Sequence, residues 1–418
     1  MRRVKFHTAR VVLSTACLGM FGAGPALSDE TRPALSDDAK PAPPDDPKDE
    51  TKDEKPARVY YKDGAATFEA EHLQISLANR IQFRLTDEFP DPSIKLSGTA
   101  AKGDSRAAFR VRRAKTSLQG WFFRPEFKFD LQLSWAGPEP GASAQTALED
   151  ALITWDASKK ETFQVTFGQF KVPLGRQEMT SSSRLQFADR DIFSFEFTRG
   201  RDLGLEFNGK LSKKRLSYML GVFNGNAASR LGNDNAKFQY NARVMFEPWG
   251  AVGYSEGDFE SKDKPLLAVA GEFEQNNLAY ASNVSDNLKT TIWGGDVVFK
   301  YKGFSLWAEY LARDRKPQPV GSVDPSQAPF STVAFNSNGW HGQAGYFLKR
   351  DVVEVALRYA TYDPTDRIAN NDRTEVGGAL NYFINKHFLK LQADFRQLEN
   401  KADKTKNKEL RIQSQVMF

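Results

Sequence analysis

The stretch FRVRRAKTSLQG (109–120) holds Arg110, Arg112, Arg113 and Lys115 within six residues. A second concentration of charge lies in VPLGRQEMTSSSRLQFADRDIFSFEFTRGR (172–201). There Arg176, Arg184, Arg190, Arg199 and Arg201 are interspersed with Glu178, Asp189, Asp191 and Glu196, and Thr180 to Ser183 supply four consecutive hydroxyls. An anion leaving bulk water must exchange its hydration shell for fixed donors. Guanidinium forks, ammonium groups and hydroxyls supply such donors, whereas carboxylates repel the anion. The chemistry that these residues suggest is therefore non-covalent anion coordination. Any one of the charges could equally serve a polar lining or a local ion pair, so the reading belongs to the set.

Covalent and metal chemistry find little support. The four histidines, His7, His72, His341 and His387, lack metal-ligand spacing, and no serine stands in a GxSxG elbow. No phosphate-cradling glycine loop is present, and the basic residues are interleaved with acids rather than massed as for nucleic acid. The expectation is a protein that is not an enzyme, binds no nucleic acid and needs no metal or other cofactor.

The elements that would carry these residues are short and alternating. HLQISLANRIQFRL puts Leu73, Ile75, Leu77, Ile81, Phe83 and Leu85 on one face and Gln74, Ser76, Arg80, Gln82 and Arg84 on the other. EFKFDLQLSW, LGLEFNGKL, VVEVALRYATY, FLKLQADFRQL and the terminal ELRIQSQVMF repeat the pattern, and the whole series gives sixteen strands. The connections alternate too. Short ones at 123–126, 156–160, 212–214, 302–303, 349–351 and 385–386 alternate with long ones at 86–105, 136–146, 173–200, 224–236, 274–289, 314–337, 362–372 and 398–408. Residues 248–264 break the rule by placing a long segment in a short slot.

A soluble two-sheet protein would also bury one parity, so alternation alone leaves both architectures open. An even strand number, paired short and long connections, and aromatics at strand ends (Trp121, Trp135, Trp155, Trp249, Tyr310, Tyr359, Tyr382) favour a closed transmembrane barrel. Mean hydropathy is −0.55, and no apolar run of 18 residues exists outside the extreme N-terminus, which argues against membrane-spanning helices. The reading is all-β: a 16-stranded antiparallel transmembrane β-barrel with an inward-folded third loop. By strand parity Arg113 and Lys115 face the lumen, with Arg80, Arg84, Lys128, Arg243, Lys390 and Arg396. Arg112 faces outward unless it lies above the membrane or a bulge shifts it.

Residues 1–28 read as a signal peptide, with Arg2, Arg3, Lys5 and Arg10 before an apolar stretch that contains the single Cys17. Residues 29–66 form an acidic, Pro-rich leader expected to be disordered; its first thirty residues carry ten acids and six bases. The barrel is assigned to 67–418. The mature chain then has no cysteine, and its formal charge of +5 for the full sequence matters only through placement.

Several segments together resemble the phosphate-selective porin O and P family: RVRRAKTSLQGWF, ALEDALITW, GQFKVPLGRQEMTSSSRLQF, TRGRDLGLEFNGKL, GGALNYFINKHFLKLQADF and LRIQSQVMF. The resemblance implies a trimeric porin in the outer membrane of a Gram-negative-type bacterium, contacting outer-membrane lipid and passing phosphate or other small inorganic anions through an arginine-lined constriction. The terminal Phe418 resembles the assembly signal of such barrels. Matched by position, the paired basics are Arg112 and Arg113, the constriction carboxylate is Asp150, and the hydroxyl-and-cation segment is Ser181, Ser182 and Arg184. Lys115, Arg190, Arg199 and Arg201 complete the candidate site. The sequence departs from the family pattern where a lysine would stand beside the serines: Met179 precedes Thr180 and Arg184 follows Ser183. A weakly selective barrel, or one for an organic acid or sugar, is the alternative.

Overall fold

The computed structural model describes residues 56–91, 106–136, 147–228, 232, 233, 235, 237–261, 263–280, 283–317 and 334–418. The expected signal peptide, Cys17 and the leader up to residue 55 lie outside these residues, as do parts of the long connections at 86–105, 136–146, 224–236, 274–289 and 314–337.

Among the described residues, eighteen strands and two short helices follow one another. The first two are β1 (Arg58–Lys62) and β2 (Ala65–Ala70). Then come β3 (Leu73–Phe89), β4 (Arg106–Phe122), β5 (Arg124–Ser134), β6 (Ala147–Asp156) and β7 (Gln164–Lys171). Helices α1 (Arg176–Met179) and α2 (Ile192–Phe197) precede β8 (Arg201–Leu211), β9 (Leu216–Phe223), β10 (Gln239–Phe246), β11 (Leu266–Tyr280) and β12 (Asn283–Tyr301). The remainder are β13 (Phe304–Pro317), β14 (Phe335–Lys349), β15 (Val353–Asp363), β16 (Arg373–Asn385), β17 (Leu389–Asn400) and β18 (Thr405–Met417).

From β3 onward each strand pairs antiparallel with the next, and β18 pairs back onto β3, with Gln413 opposite Arg84 and Ile412 opposite Leu85. This closes a barrel of sixteen strands, β3 to β18, and they are the sixteen read from the alternation. Boundaries differ in two places: the expected 274–289 connection is taken up by β11 and β12, which pair as far as Tyr280 and Asn283, and the leader ends early. The expected leader ran to residue 66, yet β1 and β2 form a hairpin across Asp63 and Gly64, and β2 pairs with Leu73–Leu77 of β3. The physical reason is an edge left open: β18 stops pairing at Arg80, Phe418 bonds to Asn79, and the lower half of β3 needs another partner.

Burial runs opposite to a soluble protein. Along β14 the hidden side chains include Ser337, His341 and Gln343, while Trp340, Tyr346 and Leu348 are exposed. Arg84, Arg243, Arg411, Lys300 and Lys390 are fully buried, whereas Phe109 is 86% and Leu357 71% exposed. A two-sheet sandwich in water would bury the apolar parity. Here the apolar parity faces out, which suits acyl chains, and the polar parity lines the interior. Trp135, Trp155, Trp249, Tyr310, Tyr359 and Tyr382 are all on the outer surface.

Candidate functional site

Pro173 and Gly175 end β7 pairing and send residues 172–200 away from the sheet. The backbone of this segment is met by carboxylates from strands on several sides of the barrel. Gly175 N donates to Glu272 on β11 (3.0 Å), Arg176 N to Glu309 on β13 (3.2 Å), Ala188 N to Asp394 on β17 (2.7 Å) and Ile192 N to Glu375 on β16 (3.1 Å). Gln186 donates through its side chain to Ser305 and Glu354. Glycine makes the room: a Cβ on Gly345 of β14 would stand 1.9 Å from Gln186 Nε2. Phe193 and Phe197 of α2 pack with Phe170, Phe223, Ile292 and Leu311 in an apolar cluster between segment and wall. These contacts tie residues 172–200 to side chains of β11, β13, β15, β16 and β17.

A second segment approaches from the short-turn rim. Residues 248–261, the long segment in a short slot, carry buried Val252, Ser255, Glu256, Asp258 and Ser261. Glu256 accepts from Gln186 N (2.6 Å) and from the side chains of Gln177 (3.0 Å) and Gln343 (2.9 Å). Lys300 donates to Ser255 O (2.7 Å), and Phe259 packs edge-on against Phe347 and Phe383. The two segments thus meet each other and the wall around β10 to β17.

The wall of β3 to β8 is different in character. Arg113 donates to Asp189 Oδ1 (2.7 Å), and Arg84 and Arg112 reach the same carboxylate. Arg112 points inward because β4 carries a bulge: Gln82 pairs with Arg113 and Phe83 with Val111, so Arg112 is the extra residue. Burial alone would raise the Asp189 carboxyl, but Arg113, Arg84 and Arg112 hold it well below the usual carboxylate range. In the same way burial is outweighed at Asp191, which caps α2 through Ser194 N (2.7 Å). Its bond to His341 Nδ1 keeps it at about 2.

Beside this cluster lies a cavity of 480 Å³. Arg80, Arg112, Arg113 and Lys115 line it from β3 and β4, and Lys171, Arg190 and Arg201 from β7, the third loop and β8. Among the described residues two carboxylates, Glu149 and Asp150, line it with them. A second cavity of 650 Å³ reaches towards the short-turn rim and is bordered by Arg184, Lys386 and His387. The two share Arg80, Lys115, Gln119, Gln132 and Ser181, which form the partition between them. At that partition Arg80 bonds to Ser181 Oγ (3.3 Å), and among the described residues no carboxylate forms an ion pair with its guanidinium.

The expected site residues divide accordingly. Arg112, Arg113, Lys115, Asp150, Ser181, Ser182, Arg190 and Arg201 come together around the first cavity. Arg201 is gripped by Asp150 through two bonds (2.8 and 2.9 Å). Arg190 mainly ties the loop to itself, donating to the carbonyls of Gln177, Glu178 and Thr180. Arg184 is exposed and borders only the second cavity, and Arg199 donates to Gly225 O (2.7 Å) and borders neither. Three charged lining residues lie outside the expected site. Arg80 had lumen parity as its signal. Lys171 closes GQFK just before the loop, and its Nζ lies against the carbonyls of Glu178 (2.6 Å), Met179 and Thr180, supplying the ammonium that the serine segment lacks. Glu149 was hidden by a bulge in β6, where Gln132 pairs with Asp150 and Leu133 with Leu148.

The sequence matches the family described as phosphate-selective porin O and P over residues 93–418. Porin O of Pseudomonas aeruginosa is 22% identical over 291 residues, 62% of this chain and 63% of that protein. An uncharacterized protein of Aquifex aeolicus is 23% identical over 62% of this chain and 65% of its own length. The chain therefore spans a little under two thirds of both relatives. The anion-selective porin from Comamonas acidovorans has a similar fold, with a TM-score of 0.57 at 11% identity over 83% of this chain and all of that one.

Proposed function

This chain belongs to the phosphate-selective porin O and P family of outer-membrane channel proteins, and from that premise we propose that it passes small anions, inorganic phosphate foremost, along an off-centre path. The path runs through the two cavities beside β3 to β8, and the inward-folded third loop and the 248–261 segment fill the opposite side. The observation that carries the reading is a segregation of charge. Carboxylates Glu272, Glu309, Glu375, Asp394 and Glu256 are engaged by the loop backbone on the filled side. Among the described residues seven cationic side chains and two carboxylates line the first cavity, with Asp189 behind Arg112 and Arg113 and Glu178 behind Arg190, so cations remain in excess. A cation entering it meets like charge, whereas an anion meets donors already held in place.

Phosphate is favoured over a halide because the partition combines a guanidinium fork, an ammonium group and a hydroxyl, from Arg80, Lys115 and Ser181. A tetrahedral oxyanion can use all three at once. Assembly as a trimer is part of the same reading, and the mass of the detergent-solubilised protein tests it. The deciding experiment for the solute is chloride current through single channels in planar bilayers with added phosphate or succinate. Block by phosphate at lower concentration than by succinate supports phosphate; the reverse order assigns the path to organic acids.

A further inference from the structure

Lysines recur on the short-turn rim where neither strand pairing nor the solute path calls for them. Lys159 and Lys160 lie between β6 and β7, Lys213 and Lys214 between β8 and β9, and Lys302 between β12 and β13. Lys349 ends β14, and Lys386 lies between β16 and β17. All are exposed. Lys159, Lys213, Lys214, Lys302 and Lys386 hold φ between 45° and 67°, the left-handed region that Gly, Asn and Asp accept at least cost. Lys302 and Gly303, with φ of 49° and 89°, form a two-residue turn of the kind in which Asn-Gly or Asp-Gly is usual. Lysine is thus kept where the local backbone favours another residue, and such an outlier points to a role outside the fold. Carboxylates occupy two of the set: Lys159 lies 3.6 Å from Glu126 and Lys214 2.9 Å from Glu161. Among the described residues no carboxylate pairs with Lys160, Lys213, Lys302, Lys349 or Lys386.

A large apolar side chain precedes each of these turns. Trp155, Leu211, Leu348 and Ile384 are exposed on the outer wall, and Lys302 Nζ sits 5.2 Å from the centre of the Tyr301 ring. The lysines follow within a few positions, so each ammonium stands just beyond the acyl-facing band, at the depth of lipid headgroups. Short turns of outer-membrane barrels face the periplasm, and the headgroups there are those of the periplasmic leaflet. The five turns are distributed around the barrel rather than gathered in one patch. A folded partner docking from the periplasm would meet one side of the ring, whereas the surrounding leaflet meets all of it. Lysine, a point charge on a mobile stem, suits phosphodiesters that diffuse past. We propose that this rim selects anionic phospholipid from the periplasmic leaflet. Its phosphodiester groups pair with Lys160, Lys213, Lys302 and Lys349, and its acyl chains lie along the apolar residues that precede them.

The test reconstitutes the full-length chain in phosphatidylcholine bilayers containing brominated phosphatidylglycerol or brominated phosphatidylcholine, and tryptophan quenching reports the lipid in contact. The wild type is expected to prefer phosphatidylglycerol about fivefold. The preference falls to near parity when Lys160→Gln, Lys213→Asn, Lys302→Asn and Lys349→Gln are combined. Lys386 borders the second cavity and is left unchanged, which keeps the solute path out of the comparison. Lys404→Gln with Lys408→Gln, on the long-loop side, leaves the preference intact. Equal losses from both variants would assign the effect to net charge, and a wild type without preference would leave the rim to an acidic soluble partner; either result overturns the proposal. In detergent free of anionic lipid the rim variant should melt no lower than the wild type, because asparagine suits the left-handed turns. A lower melting temperature would mean that the lysines serve the fold, and it overturns the proposal as well.

Discussion

Arg112 and Arg113 are neighbours on one strand, yet both guanidiniums reach Asp189, at 3.3 and 2.7 Å. Regular pairing would send them to opposite faces; the bulge between Gln82 and Phe83 brings them to one. With Arg84 they place three cations on a single buried carboxylate of the third loop.

Asp189→Asn therefore leaves three guanidiniums facing one another. Removing one partner of a buried ion pair costs about 3–5 kcal/mol. The expected outcome is a lower unfolding temperature in detergent and a noisier open-channel current as the loop loosens. A variant that melts and conducts like the wild type would show that the cluster does not hold the loop.

Arg80 and Arg199 should differ sharply. Arg80 stands in the partition between the cavities, whereas Arg199 donates to Gly225 O and borders neither. Arg80→Gln is expected to lower the anion/cation permeability ratio about threefold or more, and Arg199→Gln to leave it unchanged. Equal effects from both would mean that diffuse positive charge, not the partition, selects the ion.

Acid should act through Asp191. Its folded-state value of about 2 lies below the ordinary 3.8, so its contribution is fully present above the unfolded value and is lost as pH falls through the folded one. The amount is on the order of 2 kcal/mol. Denaturant titrations in detergent between pH 7 and 2 should show wild-type stability declining from about pH 4 to about pH 2. Asp191→Asn is less stable at neutral pH, with a smaller decline in that window. Parallel curves for the two proteins would contradict the assignment.

Replacing residues 248–264 with an Asn-Gly hairpin turn removes Glu256 and Phe259 from the interior. Single-channel conductance is expected to rise about twofold or more, because a sixteen-strand barrel leaves a wide lumen unless it is filled. Unaltered conductance would place the rate-limiting narrowing wholly at the third loop.

Much of the barrel was legible because lipid outside and a polar interior impose a two-residue period on every strand, as in HLQISLANRIQFRL. The same period misplaced Arg112 and concealed Glu149, since a single extra residue reverses parity and leaves no mark on composition. The β1–β2 hairpin escaped notice because RVYYK and AATFEA adjoin an acidic, Pro-rich stretch. Their reason to fold is the unpaired edge of β3, which is a tertiary fact. Residues 248–264 were visible as an anomaly of length, but not as a second filler. On the third loop, five arginines among four acids gave no rule for pairing. Which cations remained for a passing ion depended on where the backbone N–H groups met Glu272, Glu309, Glu375 and Asp394.

The charge segregation between the two sides of the interior is tested most directly by the zero-current potential of the wild-type channel across a KCl gradient. With seven cations against Glu149, Asp150, Asp189 and Glu178 around the first cavity, the potential should take the sign set by chloride permeation. A potential of the opposite sign, set by potassium, would contradict the account.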